Sequence, residues 1–147
     1  FLVAGHPGMT PRPIGKVASG GELSRISLAI SVTTSQLGTA PTLVFDEVDS
    51  GVGGAVAETV GRLMRQLGRD RQVLAVTHLP QVAAYADHHL MVSKRRNAAG
   101  TTSTVTPVLG DLRVTEVARM LGGERPTGTS LAHASEMLSL ANTPQKG

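Results

Sequence analysis

Apolar residues recur along this 147-residue chain in three rhythms. From Glu22 to about Leu37 they fall at helical spacing, with Leu23, Ile26, Ile30 and Leu37 joined by Leu28, Ala29 and Val32. So little polar face remains that this helix is expected to be buried on most sides. Gly38 and Pro41 end it. A second helical stripe, Val56, Val60, Leu63, Met64 and Leu67, stops at Gly68. Two short continuous apolar runs, Thr42-Leu43-Val44-Phe45 and Val73-Leu74-Ala75-Val76, have another character. Each fits a strand covered on both faces, as in a parallel sheet.

The remaining elements follow from punctuation. Phe1 to Ala4 fits a short strand, and Gly5 to Lys16, rich in proline and glycine, reads as a loop. Pro80 opens a short helix through Ala86. His89 to Ser93 alternates, Asn97 to Gly100 turns, and Thr101 to Leu109 returns, which predicts an antiparallel hairpin. Leu112 to Leu121 and Ser130 to Leu140 read as helices, the first stopped by Gly122-Gly123. The order of helices and strands predicts one α/β domain over residues 1–147, with a mainly parallel sheet flanked by helices and a small hairpin.

Composition narrows this picture. One Tyr, two Phe and no Trp mean that aliphatic and alanine side chains must fill the core. The absence of cysteine excludes disulfides, thiolate metal sites and cysteine nucleophiles. No run of about eighteen apolar residues offers a membrane-spanning helix. The formal net charge of +3 is compatible with a nucleic-acid partner, and only Lys94-Arg95-Arg96 clusters. The abrupt apolar start suggests a fragment whose N-terminal partner segment lies elsewhere.

Chemistry concentrates at element ends. Ser19-Gly20-Gly21 stands directly before the first long helix. A helix N-terminus presents unpaired N–H groups, and glycines let an anion approach the backbone; an ordinary serine N-cap explains the same residues. Asp46-Glu47 closes the first apolar strand, and Thr77-His78 closes the second. In open α/β sheets ligands bind at the carboxyl ends of strands. An apolar strand followed by Asp-Glu is the Walker B pattern, in which the Asp holds Mg²⁺ and the Glu acts on water. Two acids that simply cap a strand and face solvent are the plainer alternative, and a histidine after a strand is commonly structural.

Other motifs fail. Gly8 and Gly15-Lys16 do not form a phosphate-binding P-loop, because the spacing is wrong and Val17 replaces the hydroxyl that would bind Mg²⁺. Pro11 and Pro13 also remove N–H groups from such a cradle. A Ser19, His78, Asp46 hydrolase lacks the nucleophile elbow. His88 and His89 are adjacent on an expected strand and would face opposite ways.

The order Ser-Gly-Gly-Glu, apolar-Asp-Glu, Thr-His resembles the C-terminal part of an ABC-type ATPase head. Ala18-Ser19-Gly20-Gly21-Glu22 resembles the ABC signature, with Ala in place of the usual Leu, and Leu43 to Glu47 resembles Walker B. Val48 to Gly54 takes the place of the D-loop and departs from the Ser-Ala-Leu-Asp of transporter ATPases. Thr77-His78 resembles the switch histidine. KVASGGELSRISLAI, PTLVFDEVDSGVGG, VTHLPQVAAYADHHLMVSK and VARMLGG together resemble the RecN family, SMC-like bacterial proteins of DNA double-strand-break repair and recombination.

That resemblance implies a fold, a C-terminal lobe of an ABC-type head, and an activity, ATP hydrolysis with Mg²⁺. It implies Asp46 near the metal through water, and Glu47 and His78 as catalytic groups. It implies Ser19, Gly20, Gly21 and Glu22 at the γ-phosphate of ATP bound to a second head, and Asp49 at the head–head interface. The implied partners are the N-terminal Walker A half of the same protein, a second head in a homodimer, and double-stranded DNA. No membrane is involved, and the implied place is the bacterial cytoplasm in association with the nucleoid. Two other readings compete: a dimerisation module without turnover, and an ABC transporter subunit.

Overall fold

The computed structural model describes residues 2–4, 8–13, 26–30, 33–34, 40–46, 48–49, 52–97, 100–123 and 125–143. The chain forms two compact units, Phe1–Thr77 and His78–Gly147.

In the first unit, strand β1 (Leu2–Val3) pairs antiparallel with β2 (Arg12–Pro13), Leu2 opposite Pro13 and Val3 opposite Arg12. The expectation of a loop through Lys16 missed β2, because proline was read as punctuation. Proline is tolerated in such a short edge pairing, where its missing N–H is no loss. The same pairing makes residues 12–13 extended strand rather than part of an anion cradle.

Residues 26–30 are helical. Leu28 is buried, but Ile30 is exposed, so this helix is not covered all round as its composition suggested.

β3 (Thr42–Phe45), α1 (Gly54–Leu67) and β4 (Gln72–Ala75) form a parallel strand–helix–strand unit. The register runs from Thr42 opposite Gln72 to Phe45 opposite Ala75, and Val76 N–H extends it by donating to Phe45 C=O at 2.9 Å. Helix α1 buries Ala57, Val60, Gly61, Met64 and Leu67, one stripe at helical spacing. Val56, expected in that stripe, is exposed. Gly54 begins the helix at φ +53, a left-handed conformation that favours glycine. Gly68 N–H closes the last turn on Met64 C=O at 2.9 Å.

The strand pair is not covered on both faces as its apolar runs predicted. Alternate residues of a strand share a face, and directly paired residues do too. Val44 lies opposite Leu74, and Val76 follows on the same side. These three are 67%, 46% and 63% exposed, whereas Phe45 on the other side is buried. One apolar face of the parallel pair is therefore open.

The second unit begins with α2 (Pro80–Ala84), which has proline in its first turn. β5 (Leu90–Asn97) and β6 (Gly100–Pro107) pair antiparallel over eight residues each, from Leu90 opposite Pro107 to Asn97 opposite Gly100. Lys94, Arg95 and Arg96 thus belong to a strand that runs past its expected end at Ser93. His88 and His89 precede β5 rather than lie on it.

Helices α3 (Gly110–Gly122) and α4 (Gly128–Asn142) complete the unit. Their core joins Ala84 of α2 to Val117, Ala118, Ala134, Leu138 and Ala141. With aromatics scarce, small alanines bring the helices together. Thr127 and Ser130 form a reciprocal capping box at the start of α4, with Ser130 N–H to Thr127 Oγ1 at 3.2 Å and Thr127 N–H to Ser130 Oγ at 2.8 Å. Arg113 Nη2 of α3 donates to the carbonyls of Ala83, Ala84 and Ala86, which ties the end of α2 to α3. Arg119 grips buried Glu116 in a bidentate pair at 2.7 and 2.8 Å.

His89 sits beside this polar cluster, with its Nδ1 buried and without a hydrogen-bond partner. Burial, and next the Arg113 charge, push its pKa below 6.5, while Glu116 opposes the shift. The neutral imidazole is favoured in the folded state. As pH falls through about 6.5 the unfolded chain takes up the proton first, so stability drops. Arg119 holds the Glu116 pKa below 4.5, so the loss tied to Glu116 comes at lower pH, as its carboxylate is protonated in the fold. We predict that urea midpoints fall between about pH 7 and pH 5, and that His89→Gln flattens this slope. An unchanged slope in the variant would place the titration elsewhere.

Candidate functional site

The parallel register sets the geometry of the site. Because β3 and β4 run side by side in the same direction, their carboxyl ends lie at one edge. Phe45 closes β3 inside the core, and Asp46 follows it as an exposed residue. At the end of β4 come Val76 and Thr77.

The chain after Asp46 folds back into the unit. Val48 is fully buried, and Asp49 is 2% exposed. Val52 N–H donates to Asp49 C=O at 3.2 Å and closes a turn. Thr77 Oγ1 donates to Asp49 Oδ2. A buried carboxylate is costly unless it is hydrogen-bonded, so this contact offsets part of the desolvation of Asp49. It also ties the loop after β3 to the residue after β4.

His78 follows Thr77 directly in sequence and is exposed. Ser19, Gly20, Gly21, Glu22 and Glu47 lie outside the described residues. Of the expected site residues, Asp46 and Asp49 come together near the carboxyl edge of the strand pair, the first exposed and the second buried. Thr77 as the partner of Asp49 was not anticipated. The available signal was a hydroxyl just past the end of one strand and an acid just past the end of its parallel neighbour. Among the described residues no group of three or more His, Asp or Glu side chains could hold a metal by itself.

No protein-family model matches the chain. Individual proteins do. The chain is 50% identical over 141 residues to the DNA repair protein RecN of Vibrio cholerae, which covers 96% of this chain and 26% of that protein. It is 50% identical over 141 residues to RecN of Streptomyces coelicolor. To RecN of Treponema pallidum it is 42% identical over 147 residues, the whole of this chain and 26% of that protein. The chain belongs to the RecN family. It spans about a quarter of the length of these RecN proteins.

Solved structures show the fold of this RecN-family segment. The Smc head domain of Pyrococcus yayanosii, with its coiled coil and joint, matches at a TM-score of 0.58 and 22% identity, over 97% of this chain and 25% of that one. An SMC ATPase structure from work on ATP-driven dimerization and DNA-stimulated activation matches at 0.57 and 20% identity, over 84% of this chain and 81% of that one. The α/β architecture is that of SMC-type ATPase heads. Among the described residues no helix is long and apolar enough to cross a membrane.

The Asp49–Thr77 contact can be tested apart from any activity. Hydrogen bonds to a charged group contribute about 1.5–3 kcal/mol. Thr77→Val keeps the shape and removes the hydroxyl, so it should cost about that much in a urea denaturation series. Thr77→Ser should recover most of it. Equal stability of Thr77→Val and the parent chain would show that the hydroxyl contributes nothing.

Proposed function

We propose that this chain is the C-terminal lobe of an ATP-hydrolysing head in an SMC-like protein of DNA double-strand-break repair and recombination. The observation that carries this reading is the parallel register of β3 and β4. It brings to one edge the strand that runs into Asp46 and the strand that leads towards Thr77. The RecN relatives and the SMC head fold support the same reading.

In this proposal Asp46 lies near Mg²⁺ and contacts it through water. An exposed carboxylate suits a hard cation that keeps several waters and takes its other ligands from substrate phosphates. When bound, the cation would neutralise charge on the phosphates of ATP. Glu47 orients the attacking water and accepts its proton. His78 contacts the γ-phosphate from the same head. A neighbouring Walker A half from the same protein completes the pocket, and the open face of Val44, Leu74 and Val76 offers apolar surface for further parts of the protein to cover.

Ser19, Gly20, Gly21 and Glu22 act in trans. Their helix N-terminus meets the γ-phosphate of ATP held by the opposite head, so two heads sandwich two nucleotides. ATP then joins the heads, and hydrolysis releases them. Asp49 lies in the loop that communicates between the two sites, and its attachment to Thr77 couples that loop to the strand before His78. Double-stranded DNA is the macromolecular partner. The protein acts in the bacterial cytoplasm, associated with the nucleoid.

Glu47→Gln in the full-length protein is expected to keep ATP binding, to lower hydrolysis by about 100-fold or more, and to accumulate closed head dimers. Unchanged turnover would remove Glu47 from the mechanism. Ser19→Arg is expected to spare ATP binding and to block ATP-driven dimerisation, measured by light scattering. Normal ATP-driven dimers in that variant would exclude the trans role of the signature helix.

A further inference from the structure

The consecutive run of positive charge in this chain lies on the hairpin. The hairpin from Leu90 to Pro107 holds Lys94, Arg95 and Arg96 and no acidic residue. Removing these three from the fourteen Lys and Arg leaves eleven cations against eleven carboxylates. The whole formal excess of +3 therefore equals the charge of this hairpin.

Its geometry makes that charge available. Lys94 pairs with Ser103, Arg95 with Thr102 and Arg96 with Thr101, and all six residues are exposed. Lys94 and Arg96 share one face with the hydroxyls opposite them, while Arg95 and Thr102 share the other. No ion pair engages the three cations among the described residues. A strand rises about 3.3 Å per residue, which puts Lys94 and Arg96 about 7 Å apart along it. One DNA strand carries a charge about every 3.4 Å of helix axis, so this spacing matches about two phosphate steps. A two-stranded ribbon is also an element that a major groove admits.

We propose that the β5–β6 hairpin grips the phosphate backbone of duplex DNA, through Lys94, Arg95 and Arg96 assisted by Thr101, Thr102 and Ser103, without reading base sequence. This inference rests on the reading of the chain as part of a DNA-repair protein. A charged edge strand also resists pairing with other chains. That role needs a single lysine and makes no use of hydroxyls opposite it. The other arginine-rich stretch, Arg62 to Arg71, is interrupted by Asp70 and has Glu58 one turn before Arg62. Its four arginines against Asp70 and Glu58 still leave a formal +2, but Arg65 and Arg71 already interact with other groups, whereas no ion pair engages Lys94, Arg95 or Arg96 among the described residues.

The test is equilibrium binding of a fluorescently labelled duplex DNA to the full-length protein across a salt series. The triple variant Lys94→Ala, Arg95→Ala, Arg96→Ala should bind at least about ten-fold more weakly. Its slope of log affinity against log salt should be shallower by about 0.9 per lost phosphate contact, about 2 to 3 in all. Arg62→Ala with Arg69→Ala should change neither quantity. If the triple variant loses its fold by circular dichroism, Lys94→Gln with Arg96→Gln carries the test, with a slope change of about 2. Wild-type affinity and slope in a folded hairpin variant would overturn the hairpin assignment and leave the DNA-repair reading standing. A wild-type protein that binds no duplex DNA at low salt would overturn that reading and this inference together. Loss of binding to phosphatidylserine vesicles with DNA binding intact would overturn the inference in favour of a membrane surface.

Discussion

A parallel strand pair projects apolar side chains to both sides and needs cover on both. β3 and β4 have it on one side only. Phe45 is buried with the stripe of α1 residues, while Val44, Leu74 and Val76 stay open on the other face. Two strands alone make a marginal sheet. Among the described residues the order of this unit therefore depends on the α1 side, and cover on the open face would stabilise it further. The length of the RecN relatives, about four times that of this chain, leaves ample polypeptide to do so. This one-sided packing is the physical ground on which the proposal of a larger head rests.

Much of the element order was legible because it rests on local rules. The α1 stripe from Val60 to Leu67 has the period of a helix, and Gly68 stops it. Pro80 opens α2, and the apolar runs at Thr42 and Val73 are strands. What failed was the inference from apolar to covered. Val44 and Val56 read as core residues and are exposed, because burial depends on neighbours that the local pattern does not contain. The hairpin was foreseen but shortened. The expected strand stops at Ser93, before the charged run, yet exposure of Lys94, Arg95 and Arg96 costs little in a ribbon whose partner strand is itself exposed and rich in threonine and serine. β-branched threonine favours the extended chain and keeps the long pairing.

The candidate site was legible in a different way. Asp46 and His78 stand out by position at strand ends and Asp49 by the family resemblance, and strand direction decides which strand ends are neighbours. Had β3 and β4 been antiparallel, their carboxyl ends would lie at opposite edges. The parallel register makes the two ends neighbours. Sequence could not separate the environments of the acids. Asp46 is exposed and Asp49 is buried against Thr77, although only Glu47 and Val48 stand between them. That difference arises because Val48 turns into the core and carries Asp49 with it.

Electrostatics give the hairpin a weight that its net charge understates. A formal charge of +3 spread over 147 residues would create little field at any one point. Charges separated by more than about 8–10 Å are largely screened at physiological salt. Lys94, Arg95 and Arg96 are consecutive on one strand and fall well inside that distance of each other, so they act on a nearby anion together. A polyanion with closely spaced charges gains from such a cluster more than a single carboxylate does, because each added contact releases another condensed counterion. Charge density rather than total charge is therefore what favours an extended phosphate backbone at this ribbon.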